Sequence, residues 1–245
     1  MIGDTFTILR KEWLEFRDQL LRLRRGGLSA LVIVVLLGVI TPLQFGPEWL
    51  SSWVVMFYFP TLASTMASAL IVDAIAGERE RQTLETLLAT RLPDGAILFG
   101  KMLAALSYGC AFVAVNALVA SLTLNIAHFD RAPLFFQPRF GGLLALLTVA
   151  ACLAQTAIGL FISLRATTVR QAQQTFGVIM LVLFLAPAIG FQFLPDSLRA
   201  DIVFTVRGWG IERIASTAAL ALGATGLLAS LLAWGRFRRG KLALD

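Results

Sequence analysis

The chain has 245 residues, of which 58% belong to the apolar set AVILMFWYC and only 15% are charged, with a formal net charge of +6. A soluble domain has about 45–50% apolar and about 25% charged residues. A soluble globule of this length does not bury so much apolar side chain, and the soluble class is excluded. The same values exclude a disordered chain, because disorder requires low hydrophobicity and high charge.

The apolar residues fall in six long blocks that contain no Asp, Glu, Lys, Arg or His. Each block has 22 to 26 residues, and a helix needs roughly 20 residues to cross the hydrocarbon core of a bilayer. Strands of a membrane barrel would show about 10 residues of alternating polarity, and these blocks do not alternate. We therefore predict an all-α, polytopic membrane protein that forms a single transmembrane domain over residues 1–245. The predicted spans are 26–47, 49–72, 102–127, 140–164, 171–195 and 214–235.

The basic residues are distributed unevenly between the two sides that six spans define. Of the 21 Lys and Arg residues, 16 lie in the segments 1–25, 73–101, 165–170 and 236–245, which share one side. Cytoplasmic segments of membrane proteins carry an excess of Lys and Arg. This distribution predicts a multi-pass protein of the cell (inner) membrane with both termini in the cytoplasm. The positive charge is thus an orientation signal, and we expect membrane lipid, not nucleic acid, as a partner.

Residues suited to catalysis or metal binding are scarce in this sequence. Cys110 and Cys152 lie within apolar blocks, where small buried side chains are a better interpretation than a disulfide or a metal pair. His128 is the single histidine, and the chain has no G-x-S-x-G or H-E-x-x-H motif. No block contains an ionisable residue of the kind that ion-coupled transporters keep within their spans. We therefore predict no catalytic residue, no metal site and no enzymatic activity in the chain itself.

The N-terminal segment 4–25 has the periodicity of an amphipathic helix. Its apolar residues recur at spacings of three and four, and Lys11 and Glu15 form an i,i+4 pair on the polar side. Such a helix directly before a first span is typical of one that lies in the membrane interface. We predict an interfacial helix with a structural role and an apolar face of Phe6, Leu9, Trp13, Phe16, Leu20 and Leu23.

The loop between the second and third blocks, 73–101, contains a second amphipathic segment. Residues 76–92 have a helix-forming composition, with an apolar stripe at Leu84, Leu87 and Leu88 among dense mixed charge. A Pro-Asp-Gly sequence then turns the chain back toward the membrane. A helix of this kind suits docking into a groove of a partner protein, and a solvated loop helix is the open alternative.

The sequence AGERERQTLETLL at 76–88, followed by a proline and then by Gly-Lys at the start of the next span, resembles the signature of type-2 ATP-binding-cassette (ABC) exporter permeases. The resemblance is to sodium-extrusion and drug or lipid exporter permeases in particular, and Gln82 stands where they often have glycine. In that family this segment is the coupling helix, which contacts a separate ATPase subunit. The resemblance implies that role for Glu78, Arg79, Glu80, Arg81, Thr83, Leu84, Glu85, Leu87 and Leu88.

The resemblance implies a membrane-spanning permease subunit of an ATP-driven ABC exporter. Two permease copies, as a homodimer or with a close homologue, would pair with two copies of the ABC ATPase subunit. ATP and Mg²⁺ would be bound by that ATPase, and this chain would bind no cofactor. The cargo would be a hydrophobic or amphipathic solute, or an ion, that moves outward. The alternative is a non-transporting scaffold subunit that docks the same ATPase.

A phosphate-binding loop within the chain itself is not expected. Residues 95–101 fit G-x-x-x-x-G-K, but Met102 stands where Ser or Thr would hold Mg²⁺, and no strand precedes the segment. We interpret Lys101 instead as an anchor of the third span at the membrane interface.

Uncharged polar residues form one stripe on the second span, at i, i+3, i+4 and i+7. Such a stripe serves either close helix packing or a translocation path. The resemblance favours the path, because the second and fifth spans line it in that family. The predicted path residues are Thr61, Ser64, Thr65, Ser68, Gln171 and Gln174. Asn116 and Gln155 lie deeper in their blocks, and we expect them to bond to neighbouring helices.

The fifth block is interrupted by Pro187 and Gly190, and the chain stays semi-apolar to residue 210. An interruption within a membrane is tolerated where protein or water satisfies the freed backbone groups. The sequence favours a short re-entrant or interfacial hairpin on the outer face. A kinked helix followed by an ordinary loop is the alternative.

Overall fold

The computed structural model describes residues 2–21, 28–83, 92–129 and 133–236, and these residues form helices joined by turns, without strands. The first helix, α1, covers Ile2–Leu21. The segment α2 consists of Leu28–Val35, a π-helical turn Leu36–Ile40 and Thr41–Phe45, and a 3₁₀ turn Gly46–Ser51 follows it. The remaining helices are α3 (Trp53–Glu80), α4 (Asp94–Ala127), α5 (Pro138–Ser163), α6 (Val169–Gln192), α7 (Asp196–Gly208) and α8 (Ile211–Arg236).

Among the described residues, six segments are long and apolar enough to cross a membrane: α2 with its 3₁₀ turn, α3, α4, α5, α6 and α8. The prediction of an all-α membrane protein with six spans is therefore confirmed. The helix ends differ from the predicted blocks. The helix α3 continues past residue 72 to Glu80, and α4 begins at Asp94, well before residue 102. Charged residues such as Glu and Arg form helix well outside the lipid, so the blocks predict the lipid-immersed part of each helix and not its ends.

The helix α5 lies at the centre of the bundle, between α3 and α8, while α4 packs against α3 and also against α1. The buried core has two parts along the bundle. Near α1 its fully buried side chains include Ile71, Ile75 and Leu160. Toward the opposite end they include Phe59 and Leu124. The two parts share α3, α4, α5 and α8. The first three of these helices form the frame on which α1 and α2 are arranged.

Glycines let the central helices approach closely, as is common in membrane bundles. A Cβ atom at Gly109 of α4 would lie 2.5 Å from the Ala63 carbonyl oxygen of α3 and 3.0 Å from Cys152 Sγ of α5. A Cβ atom at Gly226 of α8 would lie 2.8 Å from the Ala154 backbone nitrogen of α5. Because backbone atoms cannot yield as flexible side chains do, these two glycines set the spacing of the frame.

The helix α2 is attached to α4 at its π-helical turn. Thr123 Oγ1 of α4 donates to the Gly38 carbonyl oxygen within that turn at 2.9 Å. Gly38 also packs on Val119, since a Cβ atom at residue 38 would lie 2.7 Å from Val119 Cγ1. Close packing and a hydrogen bond thus hold the first span to the third.

The predicted interruption of the fifth span at Pro187 is wrong. The helix α6 continues through this proline to Gln192, because an isolated proline kinks a membrane helix without ending it. A turn at 193–195 then leads into α7, and Arg199 Nη2 closes this turn by donating to the carbonyl oxygens of Gln192 and Leu194 at 2.7 and 3.0 Å. The segment after the fifth span is thus a second helix and not an ordinary loop.

Candidate functional site

Charged side chains from several parts of the chain meet at the end of the bundle where α1 lies. We call this set the charged junction. It comprises Glu12 of α1, Lys101 of α4, and Glu78, Arg79 and Glu80 in the last turn of α3. The loop between α5 and α6 contributes backbone groups. Glu78, Arg79 and Glu80 belong to the predicted coupling residues, whereas Glu12 and Lys101 do not.

Lys101 is the buried centre of the charged junction. Its Nζ lies 2.8 Å from Glu12 Oε1 and 2.9 Å from Glu78 Oε1, and its side chain is 3% exposed. Burial of an ammonium group costs several kcal/mol unless opposite charges surround it, and here two carboxylates do so. Lys101 was predicted to anchor α4 at the membrane interface, and the structure gives its ammonium group partners within the protein. Because α4 begins as early as Asp94, Lys101 lies within the packed part of the helix.

The helix α1 docks on α4 beside this ion pair. Trp13 Nε1 donates to Ser107 Oγ at 2.9 Å, and the indole ring meets the ring of Tyr108 edge-on, with 6.3 Å between centroids. Ile8 is buried against Gly100, where a Cβ atom would lie 2.8 Å from the Ile8 Cβ. Polar and apolar contacts therefore both fix the position of α1.

The face that α1 turns toward the protein overlaps the predicted apolar stripe only in part, at Trp13. Ile8 and Glu12 lie on the docking face, whereas Phe6 is 65% exposed. An exposed apolar side chain on an interfacial helix suits contact with lipid, so the two apolar surfaces of α1 serve different neighbours. The predicted pair of Lys11 and Glu15 is confirmed, with 3.3 Å between Nζ and Oε1. The side chains of Phe16 and Leu20, and the whole of Leu23, lie outside the described residues.

Arg79 and Glu80 bind the loop between α5 and α6. Arg79 Nη1 donates to the Ala166 carbonyl oxygen at 2.6 Å, and Nη2 donates to that of Leu164 at 3.3 Å. Glu80 Oε2 accepts from the backbone amide of Val169, the first residue of α6, at 3.0 Å. A cation thus satisfies carbonyls just after the end of α5, and an anion satisfies an amide at the start of α6. Helix dipoles favour this arrangement of charge.

Ser163 joins α5 to α3 one helical turn deeper in the bundle. Its hydroxyl donates to the Val72 carbonyl oxygen at 2.8 Å and accepts from the Ala76 amide at 3.0 Å. In a regular α-helix these two backbone groups pair with each other. The hydroxyl therefore bridges a position of the α3 backbone ladder, and the seam between the two helices is a polar one.

The helix α3 ends in a Schellman motif. The Thr83 amide donates to the Glu78 carbonyl oxygen at 2.9 Å, and the Gln82 amide donates to that of Arg79 at 3.1 Å, which is the bond pattern of this motif. Gln82 has a φ of 57°, the left-handed conformation that glycine adopts without strain. A glutamine thus occupies the position where the backbone itself favours glycine.

The helix predicted over 76–92 is not continuous in the residues that the structure describes. Residues 76–80 are the last turn of α3, and the Schellman motif interrupts the helix at 81–83. Arg81, Gln82 and Thr83 are exposed, and Arg81 Nη2 lies 3.5 Å from Asp73 Oδ2. The predicted coupling residues Leu84, Glu85, Leu87 and Leu88 lie outside the described residues. The exposed surface at this end of α3 thus begins at Arg81.

The predicted path residues do not form one continuous stripe. Thr61 and Thr65 are exposed, whereas Ser64 and Ser68 are buried within the bundle. All four hydroxyls donate to carbonyl oxygens of α3 itself. The hydroxyl stripe is thus divided between a packed face and an open face, and only the open face is available to a solute.

The two glutamines of the predicted path lie at the start of α6. Gln171 Oε1 accepts from the Thr167 amide at 3.0 Å and from Thr167 Oγ1 at 2.8 Å, so this side chain closes the loop before α6. Gln174 is exposed. The structure therefore assigns a structural contact to Gln171, and the path role of both residues stays a prediction.

The buried amides of the third and fourth spans do not form the expected bonds between helices. Asn116 Nδ2 donates to the Phe112 carbonyl oxygen of its own helix at 2.8 Å, and Asn116 Oδ1 is buried without a hydrogen-bond partner. Gln155 Oε1 is buried without one as well. For Asn116 the expectation is wrong, because the carbonyl one turn earlier in α4 is the nearer acceptor.

The chemistry of the junction is that of ion pairs and helix caps. Within the part of the chain that the structure describes, no three His, Cys, Asp or Glu side chains group closely enough to hold a metal ion. The roles of Lys101, Glu12 and Ser163 were missed from the sequence. Gly100 beside Lys101 was a usable signal, because a small residue in a membrane bundle lets another helix approach closely, and α1 does so here at Ile8.

Comparison with known proteins relates the chain to a transporter family. A family model described as ABC-2 type transporter matches residues 4–195. The chain is also similar to a protein named ABC transporter permease protein NatB from Bacillus subtilis (strain 168), with 32% identity over 121 residues. That match covers 46% of this chain and 31% of the relative, so the chain spans about a third of the relative's length.

Proposed function

The chain belongs to the ABC-2 type transporter family, and we propose that it is the membrane-spanning subunit of an ATP-driven exporter. In this proposal a separate ATPase subunit binds ATP and Mg²⁺, and this chain moves a hydrophobic or amphipathic solute, or an ion, outward. The similarity to a protein named as an ABC transporter permease supports the permease role.

The charged junction is the observation that carries this proposal. The helix α3 leads directly into the exposed residues 81–83, and its last turn is bonded to its surroundings on two sides. Glu78 connects it to α4 and α1 through Lys101, while Arg79 and Glu80 connect it to the loop between α5 and α6. A displacement of the segment after α3 therefore reaches four other helices through direct bonds. A motor outside the membrane needs such a connection, because it acts on the spans through a surface segment.

In this proposal the predicted coupling residues divide into two groups. Glu78, Arg79 and Glu80 have their partners within the chain and transmit displacement. Arg81, whose side chain is 63% exposed, and Thr83 begin the surface that contacts the ATPase. That surface continues through Leu84, Glu85, Leu87 and Leu88, whose narrow apolar stripe suits a groove in a partner.

The α1 end of the bundle faces the cytoplasm in this proposal, and the chain resides in the inner membrane. The segments with 16 of the 21 basic residues share one side of the six spans by sequence order, and an excess of Lys and Arg is typical of cytoplasmic segments. The same orientation places residues 81–83 on the side where ATP is available to the motor.

A second permease copy completes the translocation path. The helix α6 exposes a broad apolar surface that includes Val178, Leu181 and Leu185, and Thr61 and Thr65 of α3 are exposed as well. An interface between two such surfaces gives a largely apolar path with a few hydroxyls, which suits a hydrophobic or amphipathic cargo. Two ATPase copies then serve the two permease copies.

The test is affinity purification of the tagged chain from gently solubilised membranes, followed by reconstitution in nanodiscs. We expect an ABC ATPase to co-purify in near-equal amount and its rate of ATP hydrolysis to depend on the permease. Absence of an ATPase from an intact preparation would contradict the proposal. A co-purifying ATPase whose rate responds to no exported compound would favour the scaffold subunit instead.

A further inference from the structure

We propose that Arg79 and Glu80 are positioning residues that clamp the loop between α5 and α6, so that α6 moves together with the end of α3. This inference rests on the proposed function for the source of the movement. It deepens that function by making the movement of the fifth span depend on the match between these two charges and the backbone groups that they bind.

The first argument is the match between each charge and the backbone group it binds. Arg79 donates twice, to the carbonyl oxygens of Leu164 and Ala166, which follow the end of α5. Glu80 accepts from the amide of Val169 at the start of α6. Cations are favoured at helix C-termini and anions at helix N-termini. The order Arg-Glu along α3 is therefore set by the direction of the chain through the loop, and the reverse order would place like partial charges together at both points.

The second argument is that the clamped loop is itself stiff. The Gln171 amide donates to Thr168 Oγ1 at 3.2 Å, which caps the start of α6. Gln171 Oε1 in turn accepts from the amide and the hydroxyl of Thr167. These bonds leave the loop little freedom between Arg79 and α6. A displacement of the clamp therefore moves the start of α6 and does not dissipate in the loop.

The third argument is where α6 is held. Ala172, near its start, is fully buried, and Phe176 packs close to Gly159 of α5, 3.6 Å from the position of a Cβ at that glycine. Beyond this point the helix exposes large apolar side chains such as Val178 and Leu181. The helix is thus attached to its own bundle mainly near the clamp. A small displacement there changes the direction of the whole fifth span.

The decisive variant exchanges the two charges, Arg79→Glu together with Glu80→Arg. It preserves composition and net charge, and it would also preserve a simple ion pair between the two residues, but it breaks both links to the loop. The matched control is E212R/R213E, an adjacent acid–base pair that is exposed at the start of α8. The bridge from Ser163 to α3 is untouched in both proteins, so the bundle is expected to fold.

The first measurement is hydrogen–deuterium exchange of the purified permease alone. We expect hydrogen exchange of the Val169 amide to be about tenfold faster in the Arg79→Glu, Glu80→Arg variant, because a charge-assisted hydrogen bond is lost. The control is expected to match the wild type. Glu80→Gln keeps an acceptor oxygen and is expected to give a smaller increase than Glu80→Ala. An unchanged rate of hydrogen exchange at Val169 in the Arg79→Glu, Glu80→Arg variant would refute the clamp.

The second measurement uses the permease–ATPase complex with and without ATP and vanadate. We expect nucleotide to change exchange in residues 164–172 in the wild type and in the control. In the Arg79→Glu, Glu80→Arg variant this response to nucleotide is expected to be lost, although the ATPase still co-purifies in equal amount. A preserved response would overturn the inference. If the wild-type chain captures no ATPase, the proposed function fails and the movement with it, and the first measurement alone decides whether the clamp exists.

Discussion

The Nζ of Lys101 lies 2.8 Å from Oε1 of Glu12, although 89 residues separate the two along the chain. This ion pair fastens the N-terminal helix to the third span at a point where water is nearly excluded. Glu78 joins the same ammonium group from the end of α3 at 2.9 Å. The helix α1 is therefore a fixed part of the bundle, and it shares a buried cation with the segment that leads to the proposed ATPase contact.

Removal of the buried cation is expected to destabilise the chain strongly. Lys101→Met leaves the carboxylates of Glu12 and Glu78 close together without their common partner, and breaking a buried ion pair in this way costs about 3–5 kcal/mol. The measurement is thermal unfolding of the purified protein in detergent. Arg81→Met is the control, because the Arg81 side chain is 63% exposed and its pair with Asp73 contributes at most about 1 kcal/mol. Equal effects of the two substitutions would contradict the central role of Lys101.

Replacement of Gln82 by glycine is expected to stabilise the chain by about 1 kcal/mol. Gln82 has a φ of 57° in the Schellman motif, where a side chain is strained and glycine is not. Gln173→Gly is the matched control, because Gln173 is exposed within the helix α6, where glycine costs about 1 kcal/mol. Thermal unfolding of the two variants checks the sign of each change. A loss of stability in Gln82→Gly would show that the side chain makes a contact that outweighs the strain.

The six spans could be predicted from sequence because lipid excludes ionisable side chains over a fixed length, which leaves an unambiguous signal. The absence of ionisable residues from a block does not indicate where the helix ends outside the lipid. Glu78 and Arg79 form helix well, so composition does not mark the end of α3. That end depends on the Schellman motif at Gln82, where no glycine stands. The burial of Lys101 depends on Glu12, which is remote in sequence. Long-range pairing of this kind leaves no periodic pattern.

Close packing between the central helices leads to a further prediction, at Gly109. A Cβ atom there would lie 2.5 Å from the backbone oxygen of Ala63, so Gly109→Ala is expected to destabilise the chain by about 1–3 kcal/mol through overpacking. Gly142 of α5 has no atom within 4 Å of its Cβ position. Gly142→Ala is therefore expected to be neutral or to stabilise by up to about 1 kcal/mol. The measurement is thermal unfolding of both variants. Equal midpoints would show that α3 and α4 move apart to fit the added methyl group without loss of stability.

The orientation of the chain leads to a prediction about labelling. Gln82 and Gln137 are both exposed and lie at opposite ends of the bundle. A membrane-impermeant maleimide is expected to label Gln82→Cys only in inverted vesicles and Gln137→Cys only in intact cells, because the basic segments lie at the Gln82 end. The unsubstituted chain, with Cys110 and Cys152 inside the spans, controls for background. The opposite pattern would reverse the orientation.

The surface that follows α3 is expected to determine ATPase binding. Glu85→Lys together with Leu88→Asp reverses a charge and places a carboxylate in the predicted apolar stripe, so both parts of the recognition surface are lost. We expect the double variant to insert in the membrane at wild-type levels and to lose the co-purifying ATPase.

The matched control for that variant is Asp196→Lys together with Leu198→Asp on α7. This pair also combines an exposed acid with a half-exposed leucine, but it lies at the opposite end of the bundle. The control is expected to retain the ATPase in wild-type amount. Retention of an active ATPase by the Glu85 and Leu88 variant would remove this segment from the contact. The exposed residues Arg81 and Thr83 would then be the next candidates, because they are the first described side chains beyond the clamp.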